Sequence, residues 1–186
     1  MKSSRRSTIV AALALVGVLG FMAPAAHAAS AAQLTADGRA ALNNLYAVQP
    51  EARTYARHAR AILIFPAIIK GAFVFGGETG DGVLLSRGRA EGFYNISAAS
   101  WGLQAGGKQF SYALFLMNDR AIAYLHNVGG WAIGAGGNIV VVDQAGQAQA
   151  NTTTLTQDVY AFPFASKGLM AGIDIHGSKI TQINPN

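Results

Sequence analysis

Apolar residues recur along this chain in two rhythms, and the change comes near residue 60. Leu34, Leu42, Leu45 and Tyr46 fall near helical spacing, with Arg39, Asn43 and Asn44 between them, so 34–60 reads as helical. Pro50 interrupts the pattern. Its fixed φ and missing N–H suit the first turn of a second helix better than an interior, and Glu51 stands where a carboxylate complements the helix dipole. The second segment, Glu51 to Arg60, places Arg53, Arg57 and Arg60 at i, i+4 and i+7, hence on one helix face.

Beyond Ala61 the rhythm shortens. Ile62-Leu63-Ile64-Phe65 is a β-branched and aromatic run that ends at Pro66. Short apolar runs then alternate with Gly-Gly and Asp-Gly turns, the pattern of a meander of strands. Strands are predicted at about 71–76, 81–86, 90–97, 101–106, 109–117, 131–136, 138–143, 158–164, 168–174 and 178–183. One helix interrupts them: Asn118-Asp119 can cap 120–126, and Gly129-Gly130 can stop it. Segments such as Lys70–Gly77, Trp101–Gly107, Gly130–Gly137 and Lys167–Gly172 echo one another, mixing small and bulky residues in one strand. That mixture permits close backbone approach or sharp coiling of a sheet. The predicted class is mainly β with N-terminal helices (α+β), its antiparallel sheet curved into a barrel-like form or a sandwich.

The start of the chain changes the reading of its charge. Lys2, Arg5 and Arg6 precede an uncharged apolar run from Ile9 to Phe21, and Ala26-His27-Ala28 supplies the small residues of a cleavage site. Residues 1–28 are therefore expected to be a signal peptide, cleaved between Ala28 and Ala29. The run falls short of the roughly 20 apolar residues of a bilayer span. Ser4-Arg5-Arg6 hints at twin-arginine export, but Thr8 and Ile9 fit that pattern poorly. The rest divides into a helical segment, 29–60, and a glycine-rich β region, 61–186, together one domain. The formal charge of the whole chain is +5, and removing the three leader cations leaves +2 for the mature part. A general nucleic-acid-binding reading loses its main support. The chain has no cysteine, so neither a disulfide nor a thiol nucleophile is available.

Candidate chemistry is sparse. Gly102-Leu103-Gln104-Ala105-Gly106-Gly107-Lys108 has P-loop spacing, but Gln109 replaces the magnesium-binding Ser or Thr, and the following residues read as a strand where a P-loop requires a helix. Gly134–Asn138 is followed by Ile139 and makes no dinucleotide fingerprint. Asp174 and His176 share one strand face and form a conceivable metal or acid–base pair, or else an exposed polar pair beside a turn. Glu78 and Asp81, in a glycine-rich loop over 76–82, offer oxygens to calcium or simply build the turn. The arginine face, with Lys70 beyond the next strand, is either a patch for phosphate headgroups or a solvated helix face.

The segment Phe73–Leu85, then Gly102–Gly106, Phe115–Asp119, Gly130–Gly134, Val140–Asp143, Val159–Phe162, Lys167–Gly172, Gly177–Ile180 and Ile183-Asn184, resembles the SYLF domain family, in order and over most of the mature chain. The resemblance implies a lipid-binding module, particularly for phosphoinositides, working through a basic amphipathic N-terminal helix. For some fungal members it also implies actin binding. The expected protein is an exported, periplasmic or secreted, non-enzymatic module without catalytic residues, metal or cofactor. Arg53, Arg57, Arg60 and Lys70 would bind the headgroup of an anionic phospholipid at a membrane surface. The alternative is an envelope or host-surface protein-interaction module whose partner is unknown.

Overall fold

In the computed structural model the described residues are 29–72, 76–100, 108–127, 129–133, 139–142, 155–165, 168–169 and 177–186. The chain opens with α1 (Ala31–Val48), whose N-terminus is capped by Ser30: its Oγ accepts from the Gln33 N–H at 3.2 Å. α2 (Ala52–His58) follows Pro50 as the sequence leads one to expect. The strands are β1 (Ala61–Ala72), β2 (Gly76–Ser86), β3 (Arg89–Ser100), β4 (Lys108–Leu116), β5 (Trp131–Ala132), β6 (Ile139–Val141), β7 (Val159–Ala165), β8 (Gly168–Leu169) and β9 (Lys179–Ile183). α3 (Asp119–Leu125) lies between β4 and β5, capped by Asn118, whose Oδ1 accepts from the Ala121 N–H at 2.9 Å.

These strands form one mainly antiparallel sheet in the order β5-β9-β3-β2-β1-β4-β7-β6, with β8 paired to β7. It curls into a half-barrel. The order departs from a simple meander: β1 pairs with both β2 and β4, β9 returns to β3, and β6 runs parallel to β7. The start of α1 meets residue 186: the Ala31 N–H donates to the Asn186 carbonyl at 3.2 Å.

Period-two alternation divides the core between the two faces of this sheet. Leu63 and Phe65 of β1, Tyr112 and Leu114 of β4, and Val159 and Ala161 of β7 point to one face, which α3 covers with Ala121 and Leu125. Ile64, Phe115, Tyr160 and Phe162 point to the other, which receives Leu45 of α1 and Ala52 and Tyr55 of α2. The Tyr55 ring meets those of Tyr160 and Phe162 edge-on, at 4.9 and 5.0 Å between centroids. Burial on both sides is why β1, β4 and β7 read as continuous apolar runs.

Pro66 does not end the first strand. Both ladders of β1 break around it, between Ile64 and Ile69 toward β2 and between Phe65 and Ile68 toward β4. The proline, which has no N–H to give, sits inside this bulge, and its carbonyl accepts from Ser111 Oγ at 2.7 Å. Opposite the bulge lies the glycine-rich segment expected to be a loop. It is strand β2, in unbroken register with β3 from Gly76 to Leu84. Its glycines make room for the displaced neighbour: a Cβ on Gly82 would stand 2.5 Å from the Ile64 carbonyl and from the Phe65 ring, and one on Gly80 would stand 2.5 Å from the Ala67 carbonyl. Predicted strands over 101–106 and the latter part of 168–174 lie outside the described residues, as do 134–136.

Gly82→Ala should therefore lower the unfolding free energy by about 1–3 kcal/mol through overpacking against backbone that cannot yield. Reversible denaturant unfolding measures this, and an unchanged midpoint would refute the close approach.

Candidate basic groove

The two helices and the β2–β3 turn enclose an open groove of about 860 Å³. Its apolar floor includes Leu42, Tyr46, Ile62 and Leu85, contributed by α1 and by the first two strands. Arg57, His58 and Arg60 stand along the α2 side, Arg87 comes from the hairpin, and Glu91 and Asp119 supply acidic groups. Apolar floor and cationic rim together make an amphiphilic surface.

α2 is shorter than the arginine spacing suggests. It ends at His58, and Ala59 is extended. The next N–H, that of Arg60, donates to the Leu116 carbonyl at 2.8 Å, so Arg60 leads into the sheet and does not continue the helix. Arg57 and Arg60 nevertheless line the same groove. Arg53 lies one turn earlier, exposed, with its guanidinium 4.8 Å from the centre of the Tyr46 ring. Burial raises the Tyr46 hydroxyl above its ordinary pKa, an effect that Arg53 opposes. Arg57 Nη2 donates to Thr54 Oγ1 at 3.0 Å, and His58 Nδ1 to the Thr54 carbonyl at 2.8 Å. Arg60 faces Asp119 at 3.7 Å, with side chains 60% and 82% exposed, a pairing weak enough to be exchanged for another anion.

Lys70 is not brought to these arginines. It lies toward the opposite end of β1, roughly 30 Å away at about 3.3 Å per residue, and its Nζ is 3.7 Å from Glu78 Oε2. Glu78 is buried, and Ser178 Oγ donates to its other oxygen at 3.4 Å. The calcium reading of Glu78 and Asp81 loses its geometry. Three positions apart on one strand, the two carboxylates point to opposite faces, and Asp81 accepts from Asn95 Nδ2 at 2.7 Å. Among the described residues no group of three or more His, Asp or Glu side chains could hold a metal ion. Asp174, His176 and the glycines of the P-loop-like run lie outside the described residues, while Lys108 and Gln109 open a strand where a P-loop would have a helix.

A second polar cluster fastens α3 to the sheet. Asp158, buried, accepts from Arg120 Nη2 at 2.6 Å, Asn118 Nδ2 at 2.7 Å and Tyr124 Oη at 3.0 Å. Bonding to Arg120 holds its carboxyl below the usual range, outweighing the opposite pull of burial, and Asn118 and Tyr124 add to the effect. The Tyr124 ring stacks on Trp131 at 5.4 Å. This cluster sets the position of α3, and with it that of Asp119 at the groove.

Residues 97–185 match the Ysc84 family model, described as a Las17-binding protein actin regulator. This match agrees with the SYLF resemblance read from the sequence. No curated protein matches the chain. The matched SYLF residues begin in β3 and include α3, Asp158 and β9, whereas α1, α2, β1 and β2 precede them. The groove therefore joins SYLF-matched residues such as Asp119 to arginines outside the match. Arg87 was absent from the sequence-derived set. Its signal was the Ser86-Arg87-Gly88-Arg89 run, a glycine turn with cations on either side.

A depressed carboxyl in the folded state contributes stability above its unfolded pKa, and that stability is lost as pH falls through the folded value. Acid unfolding of the wild type should thus include a component below about pH 4 that Asp158→Asn removes. Unfolding midpoints across pH 2–7, in approximate steps of one unit, measure this. Parallel profiles for the two proteins would contradict the assignment.

Proposed function

We propose that the mature protein is an exported, non-enzymatic lipid-binding module that recognises anionic phospholipids, phosphoinositide-like headgroups included. Recognition uses the basic surface of Arg53, Arg57 and Arg60. The observation that carries this reading is the amphiphilic groove: Arg57 and Arg60 stand over Leu42, Tyr46 and Ile62, with Arg53 one turn away. Guanidinium forks match phosphate oxygens in pairs, while an apolar floor suits the glycerol end of a headgroup. The family resemblance points in the same direction. The export half of the proposal rests on the leader, and cleavage after Ala28 would leave the capping Ser30 and all of α1 intact. Among the described residues no helix is long and apolar enough to cross a membrane, so the membrane contact proposed is peripheral. Lys70 has no part in this surface.

A second reading is an envelope or host-surface protein-interaction module, actin binding by family analogy included. The description of the matched family as a Las17-binding protein actin regulator favours it.

Mature protein should cosediment with phosphatidylcholine vesicles containing an anionic lipid, and less so with neutral vesicles or at rising ionic strength. At about 1 kcal/mol per surface cation, changing Arg53, Arg57 and Arg60 together to Ala should weaken binding on the order of a hundredfold. Unchanged binding of the triple variant removes the site. Absent vesicle binding, with cosedimentation on lipid-free actin filaments, replaces the lipid reading with the second one.

A further inference from the structure

The turn between β2 and β3 consists of Arg87 and Gly88, with φ of 49° and 78°. Two successive left-handed residues define a type I′ hairpin turn, a position that Asn, Asp or Gly fills with least steric conflict. Arginine there serves the turn poorly, and such a backbone outlier directs attention to what its side chain does. The Arg87 side chain is exposed and lines the same groove as Arg57 and Arg60, approaching from the hairpin. The turn itself is held in place: Arg39 of α1 donates from Nη2 to the Gly88 carbonyl at 2.8 Å. Asp119, the acidic group nearest Arg60, is 82% exposed and so can be displaced by a stronger anion.

We propose that Arg87 is a binding residue for the anionic group, closing the groove opposite Arg57 and Arg60 around a single terminal phosphate. Arg39 is its positioning residue, fixing the turn from which the guanidinium extends. This rests on the reading of Arg57 and Arg60 as headgroup-binding residues and deepens it. The surface becomes a two-sided cleft that recognises a compact phosphate, in place of a one-sided patch that responds to charge density. A phosphate on a lipid headgroup and one on a small soluble ester present the same oxygens, so the test separates the two sources.

Mature protein is titrated with phosphatidylcholine vesicles containing phosphatidic acid, with glycerol 3-phosphate as soluble competitor. Arg87→Gly removes the cation and keeps the left-handed backbone accessible, so the fold is retained, as a thermal melt verifies. It should bind about tenfold more weakly, as expected for one lost bond to a charged group. Arg87→Lys should recover only part of that loss, because an ammonium lacks the planar fork. Arg89→Gln, which removes an exposed cation that does not line the groove, should bind as wild type. Wild-type binding by Arg87→Gly, or an equal loss in Arg89→Gln, overturns the proposal. If Arg57→Ala and Arg60→Ala abolish binding while Arg87→Gly does not, only the Arg87 assignment falls. If wild type binds neither probe, the lipid reading falls with it. With the Arg87→Gly loss in place, displacement by millimolar glycerol 3-phosphate assigns a soluble source, and its failure assigns a lipid-borne one.

Discussion

The central constraint on this molecule is that β1 is buried on both faces and hydrogen-bonded on both edges while carrying a proline. A strand so placed cannot spare an N–H without a local break, and the break occurs around Pro66. The bulge displaces backbone toward β2, and β2 answers with glycines at 80 and 82. Burial on both faces also requires two covers. α1 and α2 close one face and α3 the other, and the groove forms where α2 runs into the start of β1 beside the N-terminal end of α3. The position of the cations thus follows from how the sheet is roofed.

The helices and the starts of α2 and α3 were legible because their signals are local, Pro50 and the Asn118 cap, whereas α2 stops at His58, short of Arg60. The mainly β class was legible for the same reason. Two expectations failed where the deciding partner is distant in sequence. Pro66 reads as a terminus until β2 and β4 are both placed beside it. The 76–82 segment reads as a loop because seven residues with four glycines carry no sign of the bulge that they accommodate. In the site, helical spacing put Arg53, Arg57 and Arg60 on one helix face, but the helix ends at His58: Arg57 and Arg60 line the groove, Arg60 from the strand entry, and Arg53 does not. Lys70 was grouped with them on sequence proximity, which a long strand undoes. Arg87 was missed because only the hairpin brings it beside α2.

Most residues lining the groove precede the SYLF match, and α3, which lies within the match, supplies Asp119 and Ile122 to it. Asp158 holds Arg120, Asn118 and Tyr124 together, and Asp119 stands next to Arg120 in the same short helix. The Asp158 cluster thus fastens the helix from which Asp119 meets Arg60. Residues shared with the family set the frame, while the arginines in front of them supply the charge.

The bond between Ala31 and Asn186 has a mechanical meaning. Residues 31 and 186 lie at one point of the fold, so a pull applied at either holds the molecule by the same pole. Tension between residues 31 and 186 meets no slack. It loads the first turn of α1 and the residues after β9 at once, and that seam is where the fold should begin to part.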